Sequence, residues 1–433
     1  MNYQQHFPHQ HNSSGKKQLK QLIVLYFWLI LFEGALRKWV LPQLATPLLI
    51  IRDPIVALIY FKAFSTRSFN RNVWIDAIFL MAIISFFFTF LVGHRNLVVS
   101  IYGLRTNFLH VPLIFVMAQN MNIEDVKKYI KWMVYLTPPV TILLILQFYS
   151  PETAWVNRGV GGVGTAGFAG ALGRMRPPTL FSFITGTAQF YTLATASCVA
   201  TFFHFKKFPK AVLNLSIICI IISIPLSISR LQLFSVLLVV VFFLLSIFTK
   251  DKYRKHLPKI IIGSVLLIYG ASSIPFMADG MSAFLHRWET ASSQSGSAVD
   301  GTLGRFLHDL ARPLIRFPDT PLMGYGIGMG TNAGMSMMGH SNFILGESEL
   351  ERCVGEMGVI GLFFIAFRLS LTYTLLMRGF KSNLSGNNLP WLLVSTCFLL
   401  LFWGQWGQPT TLGFACFTAG LCLASLNHDS EMR

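Results

Sequence analysis

Acidic residues are scarce: the 433-residue chain holds 18 Asp and Glu against 35 Lys and Arg, and charged residues of both signs make up only 12%. A soluble domain carries roughly twice that share. With 53% hydrophobic residues and a mean hydropathy of +0.55, the chain reads as membrane-integrated. The net charge of +17 does not mark a nucleic-acid binder, because the basic residues are dispersed between apolar runs instead of forming one solvated face. Cysteine chemistry is equally thin. Cys198, Cys219, Cys397, Cys416 and Cys422 sit inside apolar runs, and with Cys353 they have no zinc-ligand spacing, so neither a metal centre nor a disulfide framework is expected. The start of the chain lacks the charged-then-apolar layout of a cleaved signal, and residues 1–18 read as a disordered cytoplasmic tail. No internal repeat is visible.

What is present is a series of apolar runs of about twenty residues, the length that spans a bilayer as a helix. Twelve are expected, at 19–36, 44–63, 73–92, 96–118, 127–148, 180–203, 211–228, 230–249, 257–275, 356–378, 389–407 and 410–427. The seventh and eighth form one stretch too long for a single crossing, and Pro225 and Arg230 mark its turn. Fifteen of the sixteen lysines fall in the loops on one side, which the bias of basic residues assigns to the cytoplasm along with both termini. The fold expected is all-α and polytopic, with about twelve transmembrane helices. Helices one to nine occupy 19–275, with an outer loop at 149–179. A large outer loop follows at 276–355, then helices ten to twelve at 356–427 and a short tail at 428–433.

The arginines disobey the lysine pattern. Fourteen of nineteen lie on the outer side or within the membrane. Arginine is costly in lipid, yet its fork of donors grips phosphate and pyrophosphate bidentately. An outward-facing, arginine-lined cavity suggests an enzyme or carrier for an anionic, lipid-linked substrate. Arg105, in Tyr102-Gly103-Leu104-Arg105, and Arg230, after Ser229, are read as phosphate ligands because few intramembrane acids are available to pair with them. Arg176, before a double proline, and Arg305, after Gly304, join them. Arg52 is read instead as a helix-holding residue neutralised by a partner such as Asp53.

The densest cluster is Glu347-Ser348-Glu349-Leu350-Glu351-Arg352-Cys353-Val354-Gly355-Glu356. On a helix Glu349, Arg352 and Glu356 share one face, and Glu347 and Glu351 the opposite one. Such carboxylates could deprotonate a sugar hydroxyl, or simply complement the dipole of a helix N-terminus. A metal site from the Glu-x-Glu pairs is disfavoured, since a helix splays residues two apart. His340 is the other candidate base, its ordinary pKa lying near the working pH. The glycine-spaced segment 324–330 matches no phosphate loop, since no strand precedes it and no Lys-Ser or Lys-Thr follows, and it reads as a turn-rich hinge. Trp288 could anchor at the interface or stack on a sugar.

At these residues the chain resembles the bacterial O-antigen polymerase and O-antigen ligase superfamily. The similar pieces are 33–39, Gly103-Leu104-Arg105, Arg176-Pro177-Pro178 before Phe181-Ser182-Phe183, Ser229-Arg230, Gly304-Arg305, 324–328 and 347–361, in that order across most of the chain. The resemblance implies an inner-membrane glycosyltransferase acting on undecaprenyl-pyrophosphate-linked glycans, independent of metal and cofactor. It implies outer arginines, Arg352 among them, on the pyrophosphate, a base from the periplasmic loop, and a chain-length regulator and a flippase as partners. Ligases carry a histidine about eleven residues before the Gly-x-x-Gly of the next span. Glu347 stands at that distance from Gly358 here, with His340 further upstream, which favours a polymerase over a ligase. A transporter or flippase of lipid-linked sugars is the rival from another class. It is disfavoured by the absence of paired halves.

Overall fold

Short polar side chains start many of the helices. Asn72 and Asn96 each accept hydrogen bonds from two backbone amides of the turn that follows, and Ser229, Thr331 and Ser348 each accept one. Asn122 and Asp125 cap one another reciprocally at the head of a 27-residue helix. In the computed structural model, residues 12–165, 167–249, 275–293, 298–339 and 348–431 are described. Their helices are α1 (Asn12–Ala35), α2 (Ala45–Leu48), α3 (Arg52–Ser65), α4 (Val73–Leu91), α5 (Leu97–Leu104), α6 (Leu113–Asn120) and α7 (Ile123–Tyr149). There follow α8 (Ile184–His204), α9 (Lys210–Leu226), α10 (Arg230–Phe248), α11 (Pro275–Ser293), α12 (Ala298–Arg316) and α13 (Asn332–Met338). The last four are α14 (Glu349–Met357), α15 (Val359–Leu384), α16 (Leu389–Phe402) and α17 (Pro409–Glu431). No strand occurs among the described residues, only one bridge between Ala169 and Met175.

Seven of these helical stretches are long and apolar enough to cross a membrane: Ser14–Val40, Val73–Leu91, Leu97–Asn120, Ile123–Tyr149, Arg230–Phe248, Val359–Leu384 and Pro409–Asn427. The pair Pro42–Leu48 and Arg52–Ser65, bent by 43°, would make an eighth. The chain is thus an all-helical, multi-pass membrane protein. The long apolar stretch around residue 227 does turn where Pro225 and Arg230 mark it, between α9 and α10. The ninth expected span, 257–275, lies almost wholly outside the described residues. The segment 276–355, expected as a loop, contains α11, α12, α13 and most of α14.

Two π-helical turns, Leu36–Val40 and Arg105–Leu109, interrupt the first and fourth apolar runs. Such bulges push side chains off the regular helical spiral and recur at functional sites. Helix α17 runs through the most buried part of the bundle. An added Cβ at Gly413 would stand 2.0 Å from Arg52 Nη1, so glycine is what lets this buried arginine pass.

The hinge expected at 324–330 is instead a packed turn. Gly328, at φ 93°, would place a Cβ 2.3 Å from Val99 O, and Gly103 would place one 2.5 Å from the Gly328 amide. The segment is also stitched by backbone bonds from Tyr325 N to Gly355 O and from Gly326 N to Glu356 O, at 2.9 and 3.0 Å. Its glycines serve close approach to α5 and α14 rather than freedom of movement.

Candidate functional site

Helix α14 places Glu349, Arg352 and Glu356 on one face, as its sequence spacing dictates. All three are almost fully buried. The Arg352 fork spends four bonds: Nε to Glu349 Oε2 at 3.0 Å, Nη2 to Glu349 Oε1 at 2.6 Å, Nη1 to Glu356 Oε2 at 2.8 Å and Nη2 to Asn107 Oδ1 at 2.8 Å. Asn107 Nδ2 and the Gly330 amide also donate to Glu356, each at 2.9 Å. Arg368 of α15 reaches Glu349 at 3.4 Å, donates to the carbonyls of Leu401 and Gly404, and lies 4.0 Å over the Trp406 ring. Two carboxylates face two guanidiniums, so this cluster is neutral. That balance is what makes burying four charges tolerable. On the opposite face Glu351 pairs with Arg312 and Arg316 of α12, at 3.4 and 3.1 Å.

Glu349 also borders a cavity of about 620 Å³ between α8, α10 and α16. Ser348, Asp309 and Gln405 line its polar side, Leu231, Phe234, Leu399 and Leu400 its apolar side, and Trp288 a further part of its wall. Glu356 is held by Arg352, Asn107 and Gly330 and does not line the cavity.

A second, unlike cluster gathers Arg176, Arg230 and Arg287. Arg176 follows the bridge at Met175, Arg230 opens α10 one residue before Leu231 of the cavity, and Arg287 precedes Trp288 of the cavity on α11. Arg176 Nε is buried without a hydrogen-bond partner. Burial, then the charges of Arg287 and Arg230, push its guanidinium down to about 10. Burial and like charge both disfavour the charged Arg176 guanidinium, and a neighbouring anion would offset them.

Three sequence expectations need correction, and three more concern residues or side chains that are not described. Arg105 is not open to a phosphate. Its Nε is bonded to Asp53, its Nη2 donates to Leu49 O at 2.9 Å, and it is 7% exposed. Asp53 in turn bonds His110 Nε2 at 2.9 Å, and His110 Nδ1 meets Tyr26 OH at 3.0 Å. Asp53 therefore serves Arg105 and not its neighbour Arg52, because adjacent residues on a helix do not face each other. Arg52 pairs instead with Glu33 of α1, at 2.9 Å. Arg352, expected on the pyrophosphate, spends four of its five donors on Glu349, Glu356 and Asn107. His340 and Glu347 lie outside the described residues, and Arg305 falls within α12 without a described side chain.

Asp309 and Arg287 were not singled out from sequence as site residues. An acid four residues after Arg305 and three before Arg312 was the available signal for the first, and adjacency to Trp288 for the second. Among the described residues, no three His, Cys, Asp or Glu side chains are grouped to hold a metal. Comparison with known families, with curated proteins and with solved structures finds no match for this chain.

Proposed function

We propose that the chain polymerises undecaprenyl-pyrophosphate-linked oligosaccharide repeat units at the outer face of a bacterial inner membrane, as the resemblance to the O-antigen polymerases implies. In this reading twelve spans place both termini in the cytoplasm and α11 to α14 at the outer face. The observation that carries it is the juxtaposition of Arg176, whose buried Nε has no hydrogen-bond partner and whose neighbours include Arg230 and Arg287, with a mostly apolar cavity edged by a buried carboxylate. Arg176, Arg230 and Arg287 take the pyrophosphate, the apolar side of the cavity takes the first units of the polyprenyl chain, and Trp288 lies beside the sugar.

The chemistry asked of the protein is modest. The acceptor hydroxyl oxygen bonds to the anomeric carbon of the donor sugar as that carbon's bond to the pyrophosphate oxygen breaks. The electron pair leaves with the carrier pyrophosphate, and the arginines stabilise its charge. The hydroxyl proton passes to a carboxylate, for which Glu349 is the candidate because it reaches the cavity. Arg352 and Arg368 fix its direction, and positioning of the acceptor does most of the work.

The test is the glycan left on the carrier in a strain lacking the chain. Single repeat units are expected. Long carrier-linked chains would instead point to a ligase, and intermediates held at the cytoplasmic face to a flippase.

A further inference from the structure

A second cavity, of about 650 Å³, lies at the other end of the molecule from the arginine cluster, where the N-terminal ends of α1 and α7 meet the end of α6. Lys16, Lys17, Lys20 and Lys128 line it, against one acid, Asp125. Lys20 is held to Asp125 at 2.5 Å, and the next acid on α7, Glu124, is turned to Lys127 at 2.7 Å. Three ammonium groups at the cavity thus have no carboxylate of their own among the described residues. Lysines in this position satisfy the general cytoplasmic bias, but that bias does not require them to surround a cavity.

A line of aromatic rings begins at the same place. Lys128 Nζ lies 4.6 Å from the centre of the Trp132 ring, Trp132 is 5.2 Å from Trp28, and Trp28 is 5.7 Å from Phe32. Leu25 beside them is 42% exposed and Tyr135 48% exposed. Positive charge at a helix end, continued by an apolar aromatic strip along two membrane helices, matches an amphiphile with an anionic head and hydrocarbon tails. The first eleven residues contain no Asp or Glu, so that stretch cannot neutralise the lysines. We propose that this cavity binds the phosphate headgroup of an anionic phospholipid, with its acyl chains laid along the Trp132–Trp28–Phe32 strip.

The test uses the full chain in phosphatidylcholine vesicles containing a minor fraction of brominated phosphatidylglycerol or of brominated phosphatidylcholine, read by quenching of tryptophan fluorescence. The brominated anionic lipid should quench more strongly, and the excess should shrink in Trp132→Phe. Lys16→Gln, Lys17→Gln and Lys128→Gln should each lower the selectivity about fivefold, equivalent to about 1 kcal/mol per lysine. Millimolar inorganic phosphate should leave the excess intact, and its removal of the excess would make the site one for free anions and overturn the proposal. Equal quenching by both lipids in the unmodified chain would overturn it too. So would an excess that emerges only in Asp429→Asn/Glu431→Gln, which would make the chain's own acidic tail the occupant.

Discussion

Two arginine-rich clusters among the described residues differ in their neighbours. Around α14, Arg352 and Arg368 are matched by Glu349 and Glu356, and the fork of Arg352 is spent on three side chains. Around Arg176 the neighbouring charges are Arg230 and Arg287, and one buried donor goes unmet. A neutral cluster fixes the fold and holds a carboxylate at a set angle. In the proposed function the other cluster, where Arg176 Nε is buried without a hydrogen-bond partner, takes the anion.

That comparison can be broken experimentally, beginning with the variant of largest effect. Arg352→Ala leaves Glu356 without a charge partner and Glu349 with Arg368 alone, and breaking such a buried pair costs about 3–5 kcal/mol. Folded abundance in membranes should collapse, and a normal level would remove the claim that this cluster holds the fold. Glu349→Gln keeps the shape but replaces one of the two acceptor oxygens with a donor amide. If Glu349 takes the hydroxyl proton, polymer formation should fall by about a hundred- to ten-thousand-fold at a folded level that stays measurable. Glycan chains of ordinary length from that variant would move the base elsewhere. Arg176→Lys retains charge but loses the planar fork, so polymer formation should drop roughly tenfold or more with folded abundance unchanged. Equal function in Arg176→Lys and the parent would mean that charge alone suffices there. The smallest effect belongs to Glu351→Gln, whose Arg316 partner is largely exposed. Thermal unfolding in detergent should shift by no more than about 1 kcal/mol of stability.

Much of this architecture was legible in the chain. Apolar runs of spanning length, and Asn72, Asn96 and Ser229 just ahead of them, give most helices and their starts. The face shared by Glu349, Arg352 and Glu356 follows from spacing alone. What sequence could not give is pairing between distant segments. Asp53 is 52 residues from Arg105, and Glu33 lies one span away from Arg52, so local spacing left Arg105 without a visible acid. The glycines at 324–330 look like a hinge in sequence because glycine serves freedom and close packing equally. Only the neighbours, Gly103 and the backbone of α14, decide between them. Arg287 was hidden for a related reason: it joins Arg176 and Arg230 only when α11 is laid against the bundle.

The account therefore rests on Arg287 as much as on the arginines visible from sequence. Carrier-linked glycans should be sized in a strain whose only copy of the chain carries Arg176→Ala and Arg287→Ala, with folded protein in the membrane measured in the same cells. The account predicts single repeat units on the carrier at a normal protein level. A full-length polymer ladder at that level would contradict it, because Arg176 and Arg287 would then bind nothing the reaction needs.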